Sequence, residues 1–307
     1  MIKHQISLRG PATKGKRISA LLLKKLLEVV TEGAKGALRL RVEGRSTARG
    51  SEPAWLVKAA DFEITGLSPG STVIEIEAPT LFEAVPDKFA QQNIFSSVET
   101  ETSAFAAFEK SFQDAIEGKE DSDLFDEALL QDFLKLGDLF DAGIEQLEFS
   151  NGSAKKPPLL VMPKHLEEVK KLKRQTPPSQ AVRIAGKINT IRESDKMFEL
   201  VVPSGTVKGI APNNFNSDDL REFFGKDVTL VGKVVFRPSG SVLRVETTKI
   251  ELAHGDVSLW NKLPSPRRHT VNARDLRRPQ TLETGLNAVF GKWPGDETDE
   301  QLEEALK

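Results

Sequence analysis

At 307 residues the chain is long enough for two domains and a tail, each domain able to bury a core of its own. A formal net charge of −2 writes no general attraction to nucleic acid or anionic lipid into the chain, and the absence of cysteine excludes disulfides, thiolate metal sites and cysteine nucleophiles together. There is no N-terminal apolar segment and no apolar run of about 18 residues, so the expectation is a soluble, cytoplasmic protein without membrane contact.

Ile2, His4, Ile6 and Leu8 alternate with polar neighbours and predict a strand, followed by a turn from Gly10 to Lys16. Ile18, Leu22, Leu26, Val29 and Val30 then recur at helical spacing, with Leu21 and Leu23 widening the apolar face. Leu38, Leu40 and Val42 alternate with Arg39, Arg41 and Glu43, which reads as a half-exposed strand. A polar loop, Gly44 to Pro53, leads through Trp55-Leu56 to two predicted strands, Phe62 to Ile64 and Val73 to Ile76. Between them, Pro69-Gly70 suits a type II turn. The expected order is therefore β-α-β-β.

An acidic middle follows, with 15 acids against Lys110, Lys119 and Lys135 between Glu99 and Glu148. Phe105, Phe108, Phe112, Ala115 and Ile116 fit one helix face; Leu124, Phe125, Leu129, Phe133, Leu136 and Phe140 fit another, with Gly118 to Ser122 between them. These predict a helical pair covering the sheet, with its acids on a solvated face. Two further strands (Ile144 to Phe149, Leu159 to Met162) and a helix from Lys164 to Lys173 complete the first domain, residues 1–175. Pro177-Pro178 marks the linker.

Residues 181–255 carry a second pattern: strands at Val182 to Ile191, Met197 to Val202 and Thr206 to Ile210, a helix at Ser217 to Phe224 with Ser217 as N-cap, then strands at Val228 to Arg237 and Val242 to Leu252. Three strands, a helix and a hairpin resemble the OB-fold, with an SH3-like barrel as the alternative. Gly186 and Gly232 fall mid-strand, where such barrels need a bend or a close backbone approach. The fold class is thus α+β: an N-terminal α+β domain with a helical insertion, a small five-stranded OB-like barrel, and an extended or helical C-terminal tail over residues 256–307.

No enzyme signature emerges. Gly10 to Arg17 matches G-x-x-x-x-G-K, but Arg17 stands where a magnesium-binding hydroxyl is needed, so it reads as a turn; a phosphotransfer enzyme is the weakest alternative. His4, His165, His254 and His269 lack metal-ligand spacing, and His4 reads as a core or edge residue. No metal or cofactor is expected. If the barrel binds single-stranded nucleic acid, Arg183, Lys187, Lys208, Lys233, Arg237 and Arg244 are its candidate cations. Phe198 and Phe236 share the parity of core residues and make poor stacking platforms.

The tail is bipolar. Lys262 to Arg278 holds six bases against Asp275, broken by Pro264, Pro266 and, just beyond, Pro279; Glu283 to Lys307 holds seven acids against Lys292 and Lys307. Its closing phrase FGKWPGDETDEQLEEAL, Phe290 to Leu306, resembles the C-terminal segment of small bacterial antitoxins that neutralise PIN-domain ribonucleases. The resemblance is confined to the 27 residues from Thr281 to Lys307. It implies a non-enzymatic antitoxin of a toxin–antitoxin system whose partner is a PIN-domain toxin. Phe290 and Trp293 would be the hydrophobic anchors, Leu286, Val289, Leu302 and Leu306 would line the same face, and Arg274, Arg277 and Arg278 would pair with toxin acids. The other readings of the tail are a helix packed on the chain's own core and a solvated linker. DNA or single-stranded nucleic acid remains the alternative partner, through the barrel.

Overall fold

A computed structural model describes residues 1–13, 17–68, 72–89, 99–151, 157–192, 195–212 and 214–266, together with 298, 300, 301 and 304. By their contacts the residues group into two units, Met1–Pro266 and Arg267–Lys307. The expected Pro69-Gly70 turn lies outside the described residues.

The first layer is a five-stranded sheet, built from β1 (Ile2–Arg9), β2 (Glu63–Ser68), β3 (Thr72–Ala78), β4 (Gln146–Asn151) and β5 (Leu159–Val161). Its order is β2-β3-β1-β4-β5 and every pairing is antiparallel. A P-loop belongs to a strand–loop–helix unit of parallel sheets, so the setting of Gly10 to Arg17 differs from one; residues 14–16 are outside the described set. Register places Ile6 between Ile74 and Phe149, and Leu8 between Thr72 and Leu147, which puts these side chains on one buried face. The opposite face carries Lys3, Gln5, Ser7, Glu77 and Glu148, with Lys3 paired to Glu77. The period-2 pattern thus separates core from solvent.

Helices cover the buried face. The longest, α1 (Ala20–Glu43), runs through the segment expected as a strand at Leu38 to Val42. Alternation over five residues fits either element; here Leu38, Leu40 and Val42 are all buried because the helix end is packed on both sides, and Arg39 is satisfied by Glu43 one turn on, at 2.7 Å. Trp55-Leu56 lies in a short helix, α2 (Ala54–Ala59), so the order after β1 is two helices and then a hairpin. Two single-turn helices, α3 (Leu81–Ala84) and α4 (Pro86–Phe89), follow β3; the Thr80–Glu83 capping box opens α3.

The acidic middle forms α5 (Ala104–Ile116), α6 (Glu127–Leu134) and α7 (Gly137–Asp141), the expected second helix being broken at Lys135-Leu136. Its phenylalanines are core, as expected. Phe108 lies 5.5 Å from Phe149 on the sheet, and Phe112 lies 4.8 Å from Phe133 between ring centroids. His4 is 1% exposed, tilted against the Phe105 ring at 4.4 Å and within 2.9 Å of the Ser103 hydroxyl that caps α5. Helix α8 (Pro163–Gln175) closes this layer.

The barrel comprises β6 (Gln180–Arg192), β7 (Met197–Val202), β8 (Gly205–Ile210), β9 (Asp227–Phe236) and β10 (Val242–Leu252), closed in the order β10-β8-β7-β6-β9. Strand β10 pairs parallel with β8 and antiparallel with β9, the closure of an OB-like barrel. Phe198 and Phe236 lie inside with Leu200, Leu230 and Val245. The helix between β8 and β9, α9 (Ser217–Arg221), is capped by Asn216 rather than Ser217, because Asn216 and Asp219 form a reciprocal capping box. It also stops at Arg221, short of the expected Phe224. Gly186 and Gly232 mark close backbone approaches: a Cβ would come within 2.5 Å of the Val201 carbonyl oxygen in one case and 2.3 Å of the Glu246 oxygen in the other.

Two outcomes follow from these packings. Gly232→Ala should destabilise the protein by about 1–3 kcal/mol, read as a lower urea midpoint, because a backbone oxygen must move to admit the methyl group. Burial lowers the His4 pKa to about 4, so between pH 6.5 and 4 the unfolded chain binds a proton that the native state refuses. Stability from this residue is full above pH 6.5 and falls as pH drops to about 4, by up to roughly 3 kcal/mol. His4→Phe should flatten that slope in urea titrations across the same window.

Candidate binding clefts between the barrel and the helical layer

The loop joining α5 to α6 carries the acids Glu120, Asp121, Asp123 and Asp126 beyond Gly118, and it grips the barrel. Gly118 turns out of α5 at φ +69, and Lys119 and Ser122 brace the loop through Asp114 at 2.7 Å each. Asp121 accepts hydrogen bonds from the Ser239 and Ser241 hydroxyls at 2.5 and 2.9 Å, which hold its carboxyl below the usual range. The Ser239 amide donates to the Glu120 carbonyl at 3.3 Å. Asp123 receives Lys208 at 2.6 Å and the Arg237 Nε at 2.9 Å. Burial pushes the Asp123 pKa up, but these two cations outweigh it and the net direction is down.

Asp126 lies deepest. Its carboxylate caps α6 by accepting from the Leu129 amide, takes the Ser46 hydroxyl at 2.5 Å and the Ser46 amide at 3.2 Å, and meets Arg244 Nη2 at 3.1 Å. The two side chains are 4% and 7% exposed. Arg244 also reaches Glu246 at 2.9 Å, while its Nη1 is buried with no hydrogen-bond partner among the described residues.

The expected nucleic-acid cations therefore sit in different circumstances. Lys208, Arg237 and Arg244 are paired with acids of the loop. Arg183 lies over the Trp260 ring, 4.9 Å from its centre, in a cation–π contact that neither residue's spacing announced. Lys187 and Lys233 are exposed on β6 and β9, without an ion pair among the described residues, and face Asp227 and Glu246 across the strand ladders. The expected partner-binding residues Arg274, Arg277, Arg278, Leu286, Val289, Phe290, Trp293, Leu302 and Leu306 all lie outside the described residues.

Two clefts flank the docked loop and meet at Arg244. One, of about 840 Å³, is lined by Arg45, Arg49, Lys233 and Asn214, with the acids Glu127 and Glu246 on its walls. The other, of about 670 Å³, runs along the β6–β7–β8 face. Arg41, Lys110 and Arg192 line it beside Lys208, and none of those three was singled out by sequence reading. Among the described residues no cluster of His, Asp and Glu could hold a metal ion. No helix among them is long and apolar enough to cross a membrane. Comparison of the chain with protein-family models, with curated proteins and with solved structures gave no match.

The two kinds of ion pair in the loop should respond differently to deletion. Asp123→Ala breaks half-exposed pairs worth about 0.2–1 kcal/mol each. Asp126→Ala leaves the buried Arg244 with Glu246 alone and removes a helix cap together with the Ser46 contacts, and should cost about 3–5 kcal/mol. Urea denaturation of the two variants side by side measures the gap; equal losses would mean that Asp126 is no more critical than its neighbour.

Proposed function

We propose that the chain is a non-enzymatic, antitoxin-like binding protein: residues 1–266 are a scaffold, and the tail neutralises a PIN-type ribonuclease. The observation that carries this reading is the division of the chain at Pro266 and Arg267, inside the proline- and arginine-rich run from Lys262 to Arg278. A segment that groups apart from the scaffold, yet contains Phe290, Trp293 and a basic-then-acidic charge order, has the composition of an interface element. Five arginines offer planar forks for the metal-binding carboxylates of such a nuclease. The pairing of Lys208, Arg237 and Arg244 with the chain's own acids also supports a scaffold role for the barrel.

A second reading, single-stranded nucleic-acid binding through the barrel, is favoured by one contact: Trp260 offers a ring beside a cation, Arg183. It predicts a salt-dependent oligonucleotide affinity that disappears in the Lys187→Glu, Lys233→Glu double variant. No binding at low salt removes it.

The primary reading predicts a PIN-domain reading frame beside this one, and its product is the ribonuclease with which the reading is tested. The full protein and a 267–307 peptide should inhibit its RNA cleavage, and residues 1–266 alone should not. Trp293→Ala should weaken binding by roughly 30- to 1,000-fold, the loss of about 2–4 kcal/mol at a hot spot. It should leave the melting temperature of the isolated protein nearly unmoved. A fall of many degrees would place Trp293 in the chain's own core and remove the reading's main support.

A further inference from the structure

The cleft along the β6–β7–β8 face combines charge and apolar surface in a way that the scaffold role does not use. Five cations line it, Arg41, Lys110, Arg192, Lys208 and Arg244, against two acids, Asp123 and Glu199, a local balance of +3 in a chain of net charge −2. Three of the five are compensated nearby: Lys208 by Asp123, Arg244 by Asp126 and Glu246, and Arg192 by Asp195 at 3.7 Å. Arg41 and Lys110 have no carboxylate within ion-pair distance among the described residues.

Arg41 is the telling one. It projects from the last turn of α1 between helix α5 and the barrel, and among the described residues its guanidinium donates a hydrogen bond at 3.3 Å to the Ser111 hydroxyl. Burial pushes its pKa down to about 10, with Asp114 and Glu99 opposing that from beyond contact range. A half-buried guanidinium with donors still open to the cleft is placed to receive an anion in exchange for water. Leu40, Leu124, Met197 and Leu243 give the wall its apolar surface, with Thr190 beside them. A volume of about 670 Å³ falls in the range of small-molecule sites.

We propose that this cleft binds a phosphorylated small molecule, its phosphate held by Arg41 and Lys110 with help from Lys208, and its organic part laid on Leu40, Leu124, Met197 and Leu243. A phosphate monoester supplies enough charge for two otherwise unpaired cations and enough acceptor oxygens for the guanidinium fork. The site is independent of the tail and does not depend on the antitoxin reading.

The chain has three methionines, and Met197 alone of Met1, Met162 and Met197 lines the cleft, so methyl-labelled methionine reports on it directly. Phenyl phosphate, the smallest probe with both a phosphate and an apolar ring, is titrated into the intact protein. The Met197 methyl signal should shift with a dissociation constant of about 1 mM or tighter, while Met1 and Met162 stay in place. Lys110 is exposed, so Lys110→Glu should fold normally, and it should weaken binding at least about tenfold. Inorganic phosphate should bind more weakly and move Met197 less. No Met197 shift at about 10 mM probe, or a titration unchanged in Lys110→Glu, overturns the proposal. Equal affinity for inorganic phosphate would overturn its organic half and leave a plain anion site.

Discussion

The contact on which residues 1–266 depend is the buried meeting of Asp126 and Arg244. One carboxylate ends a loop of the helical layer, starts helix α6, fixes the Ser46 turn beyond α1 and receives a guanidinium from the last barrel strand. Three otherwise separate pieces of backbone, the loop with its helix, the Ser46 turn and the barrel strand, are thereby referred to a single charged group. A buried ion pair is weak evidence of stability gained, because desolvation offsets much of the attraction. What it gives is a fixed geometry: with both charges out of water, other placements of barrel against helices leave at least one of them unpaired. The half-exposed contacts of Asp121 and Asp123 reinforce that placement at the rim, where each is worth little alone.

The barrel was legible because its sequence agrees with itself at several levels. Alternating apolar residues, turn residues at regular intervals and two mid-strand glycines all point to the same closed architecture, and Phe198 and Phe236 fall inside as their parity requires. The sheet was legible for the same reason, since Ile6 and Leu8 stand between the apolar residues of β3 and β4. The segment from Leu38 to Val42 was not. A helix end packed on both sides buries residues of both parities, and in so short a stretch the sequence cannot tell that from alternation.

That one misreading hid a candidate site. As a residue on the open side of a strand, Arg41 would be one more solvated cation; at the end of α1 it stands between α5 and the barrel. Lys110 and Arg192 are likewise ordinary in the sequence and become neighbours only through tertiary packing. The acids of the α5–α6 loop show the converse. Their density suggested a solvated face, yet Asp121, Asp123 and Asp126 are bound to barrel residues more than 80 positions away. Net charge along a chain is readable; which charges will meet is a property of the fold.

The distance along the chain between Asp126 and Arg244 sets a timetable for biosynthesis. The two residues are 118 positions apart (244 − 126), and β10, which carries Arg244, is also the strand that closes the barrel against both β8 and β9. At about 5–20 residues per second, a ribosome needs roughly 6–24 s to deliver the second after the first. Throughout that interval the helical layer can collapse on its phenylalanines while the acid loop still faces water and the barrel lacks its last stave. The Asp126 contact and the closure of the barrel therefore share one earliest moment, the delivery of β10.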